Sequence, residues 1–210
     1  MGVKMEVKEI ATAVGIVKDV ILSGAAIATA VVAVKGVTSW LRELRGKAEF
    51  DSALALMRAT YRLREAIASC RAPWISAAEF PPGYSATNEA AEAKGKAYAH
   101  VFRERWSAVS VAFSEFDARA LEAEAIWGKD VPRTVDPLRK NVRTLYAAIE
   151  SYIDNAYGSG RDFDHDREFG QRIQREVFAP VSATDNDLSE QIKTSVKYIE
   201  IFVAPHLRRS

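Results

Sequence analysis

An uncharged stretch near the start of the chain limits its possible folds more than any other feature. Residues 20–34 read VILSGAAIATAVVAV, and no other part of the sequence is apolar for so long. An α-helix of this length rises about 22 Å, which is less than the roughly 30 Å of bilayer hydrocarbon. The flanks extend the stretch, because Lys18 and Lys35 have stems long enough to reach outward and Trp40 stands where an interfacial ring is expected. We therefore predict a single-pass transmembrane helix near residues 19–41.

Small side chains recur along this stretch at intervals of four residues. They are Gly24, Ala25, Ala28, Thr29 and Ala33. Small residues at this spacing let two helix backbones approach closely in a bilayer, so they predict a homo-oligomer packed through this helix. They also enter lipid less readily than leucine or isoleucine, and an alanine-rich helix buried in a soluble bundle is the alternative interpretation. The length of the stretch favours the membrane.

Basic residues lie on both sides of the apolar stretch. Those before it are Lys4, Lys8 and Lys18, and those that follow it closely are Lys35, Arg42, Arg45 and Lys47. Loops rich in lysine and arginine tend to stay in the cytoplasm. The distribution therefore favours a cytoplasmic position for the part of the chain that follows the stretch.

The rest of the chain carries the periodicity of amphipathic helices and no strand pattern. We divide the sequence into an N-terminal tail with its transmembrane helix, residues 1–41, and a helical-bundle domain, residues 42–210, with a polar insertion at residues 158–183. The predicted fold is all-α. A long N-terminal anchor and stem helix, over roughly residues 9–71, leads into an antiparallel four-helix bundle with coiled-coil-like packing.

Caps and breakers predict where the other three long helices begin and end. The second begins at Thr87 or Asn88 and ends at Gly128. Its core stripe is the clearest in the chain and includes Tyr98, Phe102, Trp106, Val109, Phe113, Phe116 and Trp127. The third ends near Tyr157, and it either begins at Asp136 and Pro137 or begins near Val131 with a kink at the proline. The last begins in the polar cluster at residues 184–187 and stops at Pro205.

The connection at residues 73–86, PWISAAEFPPGYSA, is unusually apolar for a loop. Its prolines and glycine exclude a continuous helix. Trp74, Ile75 and Phe80 form a partner-binding tip in one interpretation. In the other, which we prefer, they fold back over the end of their own bundle.

One dense polar segment, RDFDHDRE at residues 161–168, has the composition of a metal-binding loop. It is not an EF-hand, because the positions that need glycine and a bidentate glutamate hold Arg167 and Ile173. The weak metal candidates are Asp162, Asp164, His165 and Asp166. A solvated charged loop is the preferred interpretation, and we predict no metal and no cofactor.

Composition leaves little material for catalysis or for nucleic-acid binding. The chain has 29 lysines and arginines against 28 aspartates and glutamates, and a net charge of +1 is too small to draw it to nucleic acid. It has one cysteine, Cys70, and three histidines, with no Glu-x-x-His pair and no phosphate-binding glycine loop. The balance leans against an enzyme. Among the arginines near Cys70, we pair Arg62 with Glu65 on the same helix, and the others have a later helix or another subunit as alternative partners.

Three segments carry a resemblance to known sequences. They are WLRELRGKAEFDSALALMRATYRLREAIASCRAPW after the apolar helix, EAEAIWG further on, and VAPHL near the end. Together they resemble hypothetical bacterial proteins that have one membrane helix and a helical body. The resemblance implies a place in the bacterial inner membrane and offers no catalytic residues.

These observations predict a membrane-anchored, non-catalytic interaction or scaffold protein that associates with itself. Its expected partners are the lipid bilayer, a second copy of the chain, and a protein at the loop of residues 73–86. One alternative is a membrane-perturbing effector whose helices cluster into a pore. The other is a soluble all-helical enzyme or ligand-binding protein.

Overall fold

In the computed structural model of the protein, the described residues are 3–85, 90–179 and 186–208, and within residues 1–28 only Lys18, Leu22 and Gly24 have described side chains. The described residues form six α-helices and one short 3-10 helix, Ala77–Glu79, with no strand among them. The α-helices are α1 (Val3–Cys70), α2 (Ala91–Trp127), α3 (Asp130–Tyr157), α4 (Arg161–His165), α5 (Arg167–Val177) and α6 (Asp187–Leu207). The prediction of an all-helical protein is confirmed.

The chain forms two compact units, Met1–Ala48 and Glu49–Ser210. Helix α1 contributes to both, since it runs without interruption from Val3 to Cys70. The described part of the first unit consists of α1 alone. The predicted division after residue 41 falls slightly earlier in the same helix.

The core of the second unit is formed by side chains from α1, α2, α3, α5 and α6. Its largest fully buried members include Phe102, Phe116, Leu56, Leu63, Ile67, Leu138, Leu145 and Ile199. Removing each such side chain from water stabilises the fold by about 1.5–3 kcal/mol. The predicted stripe of α2 faces this core, with Phe102, Val109 and Phe116 fully buried and Trp106 and Phe113 packed at its edge.

A two-residue connection joins α2 to α3. Gly128 ends α2 with a φ of 73°, and its N–H donates to the Glu124 carbonyl at 2.7 Å. Glycine is favoured there because a side chain is rarely accommodated at positive φ. The predicted stop at Gly128 is confirmed, whereas the predicted caps at Thr87 and Asn88 lie outside the described residues.

Two prolines lie inside helices rather than at their ends. Helix α3 begins at Asp130 and contains Pro137, which agrees with the second of the two predicted starts. Helix α6 continues through Pro205 to Leu207, so the predicted stop at the proline is wrong by two residues. A proline inside a helix removes one backbone donor and crowds the carbonyl four residues earlier, and α6 ends two residues after Pro205.

The segment predicted as a polar insertion contributes to the core. Ile173 and Val177 of α5 are buried, and Phe163, Phe169 and Phe178 pack against the same cluster. Gly170 allows α4 and α5 to approach, because a Cβ placed there would lie 2.7 Å from the Cβ of Phe163. The high charge of this segment belongs to its exposed face.

Close packing between α2 and α3 depends on a second glycine. A Cβ added at Gly95 would overlap the ring of Tyr157, whose Cγ is the nearest atom. The two residues lie at the start of α2 and the end of α3. Because Gly95 has no side chain, the ring of Tyr157 packs directly against the backbone of α2.

Candidate functional site

The described side chains of the first unit present an apolar surface to solvent. Every side chain from residue 29 to residue 48 is exposed. The large apolar ones are Leu22, Val31, Val32, Val34, Val37, Trp40, Leu41 and Leu44. Apolar surfaces of this extent normally mark a binding site for a protein or a membrane.

The predicted packing residues are described only in part. Gly24, Thr29 and Ala33 are exposed, whereas the side chains of Ala25 and Ala28 lie outside the described residues. A Cβ added at Gly24 would meet no atom within 4 Å. Within the described part of the chain, no helix is long and apolar enough to cross a membrane. The side chains at residues 19–21 and 23 fall outside that part as well.

The loop after α1 holds its three large apolar side chains in different ways. Phe80 folds back, with its ring 4.8 Å from that of Tyr84 and 5.6 Å from that of Tyr98. Ile75 is half-buried. Trp74 points into solvent and is 86% exposed. The loop therefore both covers the end of the core and presents one aromatic side chain outward.

Arg105 of α2 holds this loop in place. Its guanidinium donates to the backbone carbonyls of Ala72 at 2.8 Å and Trp74 at 2.6 Å, and it contacts both carboxylate oxygens of Glu79 at 2.6 and 3.0 Å. The hydrogen bonds from Arg105 hold the pKa of Glu79 below its usual value, as does the N–H of Ser76, although partial burial opposes them. Ser76 and Glu79 also form a capping box around the 3-10 helix. The capping box is visible in the sequence as S-A-A-E, but the role of Arg105 is not.

The four metal candidates occupy an exposed helical turn. Asp162, Asp164 and His165 belong to α4, and the Asp166 carboxylate accepts from the Phe169 N–H at 2.9 Å as the N-cap of α5. Among the described residues, no three or more metal-ligating side chains come together. The side chain of Asp166 therefore caps the N-terminus of α5.

Two arginines on the exposed side of α1 have different partners. Arg62 pairs with Glu115 of α2 through both carboxylate oxygens, at 2.8 and 2.9 Å. Arg64 pairs with Glu65 at 2.8 Å. The predicted pair of Arg62 with Glu65 is therefore wrong. Both contacts come from the one nitrogen Nη1, which lies between the two carboxylate oxygens of the neighbouring helix.

Arg71, at the end of α1, is buried against α5 and α6. Its Nε donates to the Glu176 carbonyl at 2.8 Å, and its Nη2 donates to the Arg175 carbonyl at 3.0 Å and to Asn186 Oδ1 at 2.9 Å. Its Nη1 donates to Ser189 Oγ at 2.9 Å. We call this set of residues the Arg71 junction. It confirms that an arginine near Cys70 reaches a later helix.

The Arg71 junction joins the end of α5 to the start of α6. Asn186 caps α6 by accepting from the Ser189 N–H at 3.0 Å, and its amide donates to the Arg175 carbonyl at 2.6 Å. The guanidinium thus lies at the carbonyl end of α5, where the helix dipole favours a positive charge. Burial lowers the pKa of Arg71 to about 10, so it remains a cation at neutral pH.

An open cavity of about 560 Å³ lies beside the Arg71 junction. We call it the α1–α6 groove. Its apolar lining comes from Ile67, Ala68, Ala179, Ile192 and Val196. Its charged lining comes from Arg64, Arg71, Lys193, Lys197, Glu190 and Glu200. Sequence reasoning missed this groove, because its two walls are separated by more than 100 residues.

Cys70 lacks the setting of a catalytic nucleophile. It is buried in the core, and burial raises the pKa of its thiol to about 11 even though Arg105 and Arg71 lie near. A thiol with such a pKa is almost entirely protonated at neutral pH.

Comparison of the sequence with family models, with curated proteins and with solved structures finds no match in any of the three. The site must therefore be interpreted from its own residues.

Proposed function

We propose that this chain is a membrane-anchored, non-catalytic interaction or scaffold protein that associates with itself. In this proposal the N-terminal part of α1 enters the bacterial inner membrane, and the second unit stands in the cytoplasm. The observation that carries the proposal is the row of exposed apolar side chains on α1 between residues 29 and 44. A surface of this kind normally marks a site that a protein or a membrane covers.

The chemistry of this surface supports lipid as the cover. Residues 20–34 carry no charge on any face of the helix, and Asp19 and Lys35 bound them. A helix that is apolar all round belongs inside a large protein core or inside a bilayer. Burying each exposed valine or leucine yields about 1.5–3 kcal/mol, so several together offset the weaker preference of the alanines and glycines.

We further propose that the four long helices of the second unit form an antiparallel bundle. The core draws on α1, α2, α3 and α6, and the two-residue connection after Trp127 brings α3 back alongside α2. Helix α5 adds Ile173 and Val177 to this core. A body of this kind presents helix faces and loops to partners.

Self-association and one protein contact complete the proposal. The open space around Gly24 lets a second helix approach it closely. Trp74, exposed on a loop that Arg105 holds rigidly, has the properties of an anchor residue for a protein partner. Neither contact needs a cofactor.

A carbonate wash of membranes from bacteria that express the full chain tests the anchor. We expect the wild type in the membrane pellet. Val32→Asp should move most of the protein to the supernatant, because an aspartate near the centre of a membrane helix costs about 2.5–3.5 kcal/mol. Val111→Asp is the matched control, since Val32 and Val111 are both 70% exposed and only Val32 lies in the first unit.

Two results would contradict the anchor. One is release of the wild type into the supernatant by carbonate. The other is identical fractionation of Val32→Asp and Val111→Asp, which would mean that the apolar face of the first unit has no special relation to lipid.

A further inference from the structure

We propose that the α1–α6 groove binds a small amphiphile with an apolar body and one carboxylate head, and that the head binds at Arg71. The groove belongs entirely to the second unit. The inference therefore stands independently of the membrane anchor.

The first argument is a buried cation that forms no ion pair with any residue in the described part of the chain. Arg71 is 2% exposed, and its recorded bonds go to two backbone carbonyls, an amide oxygen and a hydroxyl, all of them neutral. No carboxylate of the described residues lies within ion-pair distance of it. The carboxylate of Glu176 acts on Arg71 only through its charge, and burial raises the pKa of that carboxyl. Buried charges in proteins are normally paired.

The second argument is an Arg71 N–H that donates to none of the described residues. A guanidinium has five N–H groups, and the bonds to described residues use four of them, which leaves one on Nη1. Ser189 accepts from the same Nη1, and its own hydroxyl proton donates to none of the described residues. Arg71 and Ser189 both line the groove. Two neighbouring donors match the two oxygens of a carboxylate.

The third argument concerns the body of the ligand. The walls beside these donors are Ile67, Ile192 and Val196, and ligand sites typically combine such apolar walls with a few polar groups. A volume of about 560 Å³ lies within the range of roughly 300–1,000 Å³ that holds a small molecule. The ligand must therefore be mostly apolar.

The charge of the lining supports an anion. Four cations, Arg64, Arg71, Lys193 and Lys197, line the groove against two carboxylates. Glu190 and Glu200 are bonded to Lys193 and Lys197 at 3.4 and 3.1 Å. Arg64 is bonded to Glu65 at 2.8 Å, so Arg71 is the one lining cation that the ion pairs among the described residues leave over.

Photolabelling of the full chain in a fixed nonionic detergent tests this proposal. The probe is dodecanoate that carries a diazirine, and labelled peptides are mapped by mass spectrometry. We expect labelling on the peptides around residues 64–71 and 189–200. Unlabelled dodecanoate should suppress it, whereas dodecanol, which lacks the charge, and acetate, which lacks the chain, should not.

Variants separate the groove from the rest of the surface. Ala68→Trp should lower labelling about tenfold, because exposed Ala68 lines the groove and tryptophan fills it without entering the core. Ser69→Trp, on the neighbouring exposed position outside the lining, should label as the wild type does. Arg71→Gln should lower labelling similarly, and Ala68→Trp keeps the test decisive if Arg71→Gln fails to fold.

Four outcomes would overturn the proposal. They are no labelling of these peptides, equal competition by dodecanol, equal labelling of Ala68→Trp and Ser69→Trp, and competition by dodecyl phosphate without competition by dodecanoate. The last would assign the groove to a phosphate head.

Discussion

Two stretches of helix α1 share their secondary structure but differ in the burial and the charge of their side chains. Between residues 29 and 48, α1 exposes every side chain, including its valines and leucines. Between residues 53 and 70, it buries a stripe that contains Ala53, Leu56, Leu63, Ile67 and Cys70. The second stretch alternates this stripe with charged residues such as Arg58 and Glu65, whereas the first is apolar on all faces around residues 29–34. Both stretches are helical, and they differ in what covers their apolar side chains. The core of the second unit covers those of the second stretch. In our proposal, lipid covers those of the first.

The largest expected effect comes from truncating one leucine in each stretch. Leu63→Ala should lower the free energy of unfolding of the second unit by about 2–5 kcal/mol, because the side chain is fully buried and leaves a cavity. Leu44→Ala should change it by less than about 0.5 kcal/mol, since Leu44 is exposed in the first unit. Urea unfolding followed by tryptophan fluorescence measures both. Equal losses would mean that the first stretch is part of the same core.

A second contrast uses two helical glycines. Gly95→Ala should destabilise the second unit by about 1–3 kcal/mol, because the new methyl group overlaps the Tyr157 ring. Gly46→Ala should be neutral or stabilising by up to about 1 kcal/mol, since a Cβ there meets no atom within 4 Å. Thermal unfolding followed by circular dichroism compares the two. A neutral Gly95→Ala would show that the helix ends pack less closely than described.

A smaller effect is expected on the association of the first unit with that of a second copy of the chain. Gly24→Leu should lower the yield of chemically cross-linked dimer in membranes about fivefold, because the side chain keeps two helices apart. Gly46→Leu is the control, as both glycines have open space around them and both gain the same helix propensity. Unchanged cross-linking in Gly24→Leu would remove Gly24 from the proposed interface.

The smallest expected effect concerns the loop between α1 and α2. Because Arg105 depresses the pKa of Glu79, the carboxylate stabilises the fold above the usual value of 4.5, and this contribution is lost as the pH falls through the depressed pKa. Wild type should therefore melt at a higher temperature than Glu79→Gln at pH 6. The difference should shrink as the pH falls below 4. A difference that stays constant over that range would contradict the role of the charge.

Periodicity predicted much of the second unit. The burial of Phe102, Val109 and Phe116 and the stop at Gly128 follow from local spacing and from the backbone freedom of glycine. Local rules predicted less well where tertiary packing decides. They ended α6 at Pro205. They also placed α5 in a polar insertion, because its charged residues are more numerous than its buried apolar residues Ile173 and Val177.

Most polar contacts across the core could not be predicted from the sequence. Arg62 was expected to bind a neighbour on its own helix, and it binds Glu115 of α2. Asn141 donates to Ser195 at 3.1 Å across the buried α3–α6 contact, and no local pattern indicates such a pair. The Arg71 junction depends on three separate elements. Contacts of this kind require knowing which helices are adjacent, and a single sequence does not contain that information directly.

Accessibility of a spin label tests the central claim, that the apolar face of the first unit lies in lipid. Single cysteines at residues 32 and 111, in a Cys70→Ala background and in liposomes, place the label on two positions of equal exposure. We predict that the label at residue 32 collides readily with oxygen, which concentrates in the bilayer, and poorly with a water-soluble nickel chelate, and that the label at residue 111 does the reverse. A label at residue 32 that meets the nickel chelate as freely as the label at residue 111 would contradict the account.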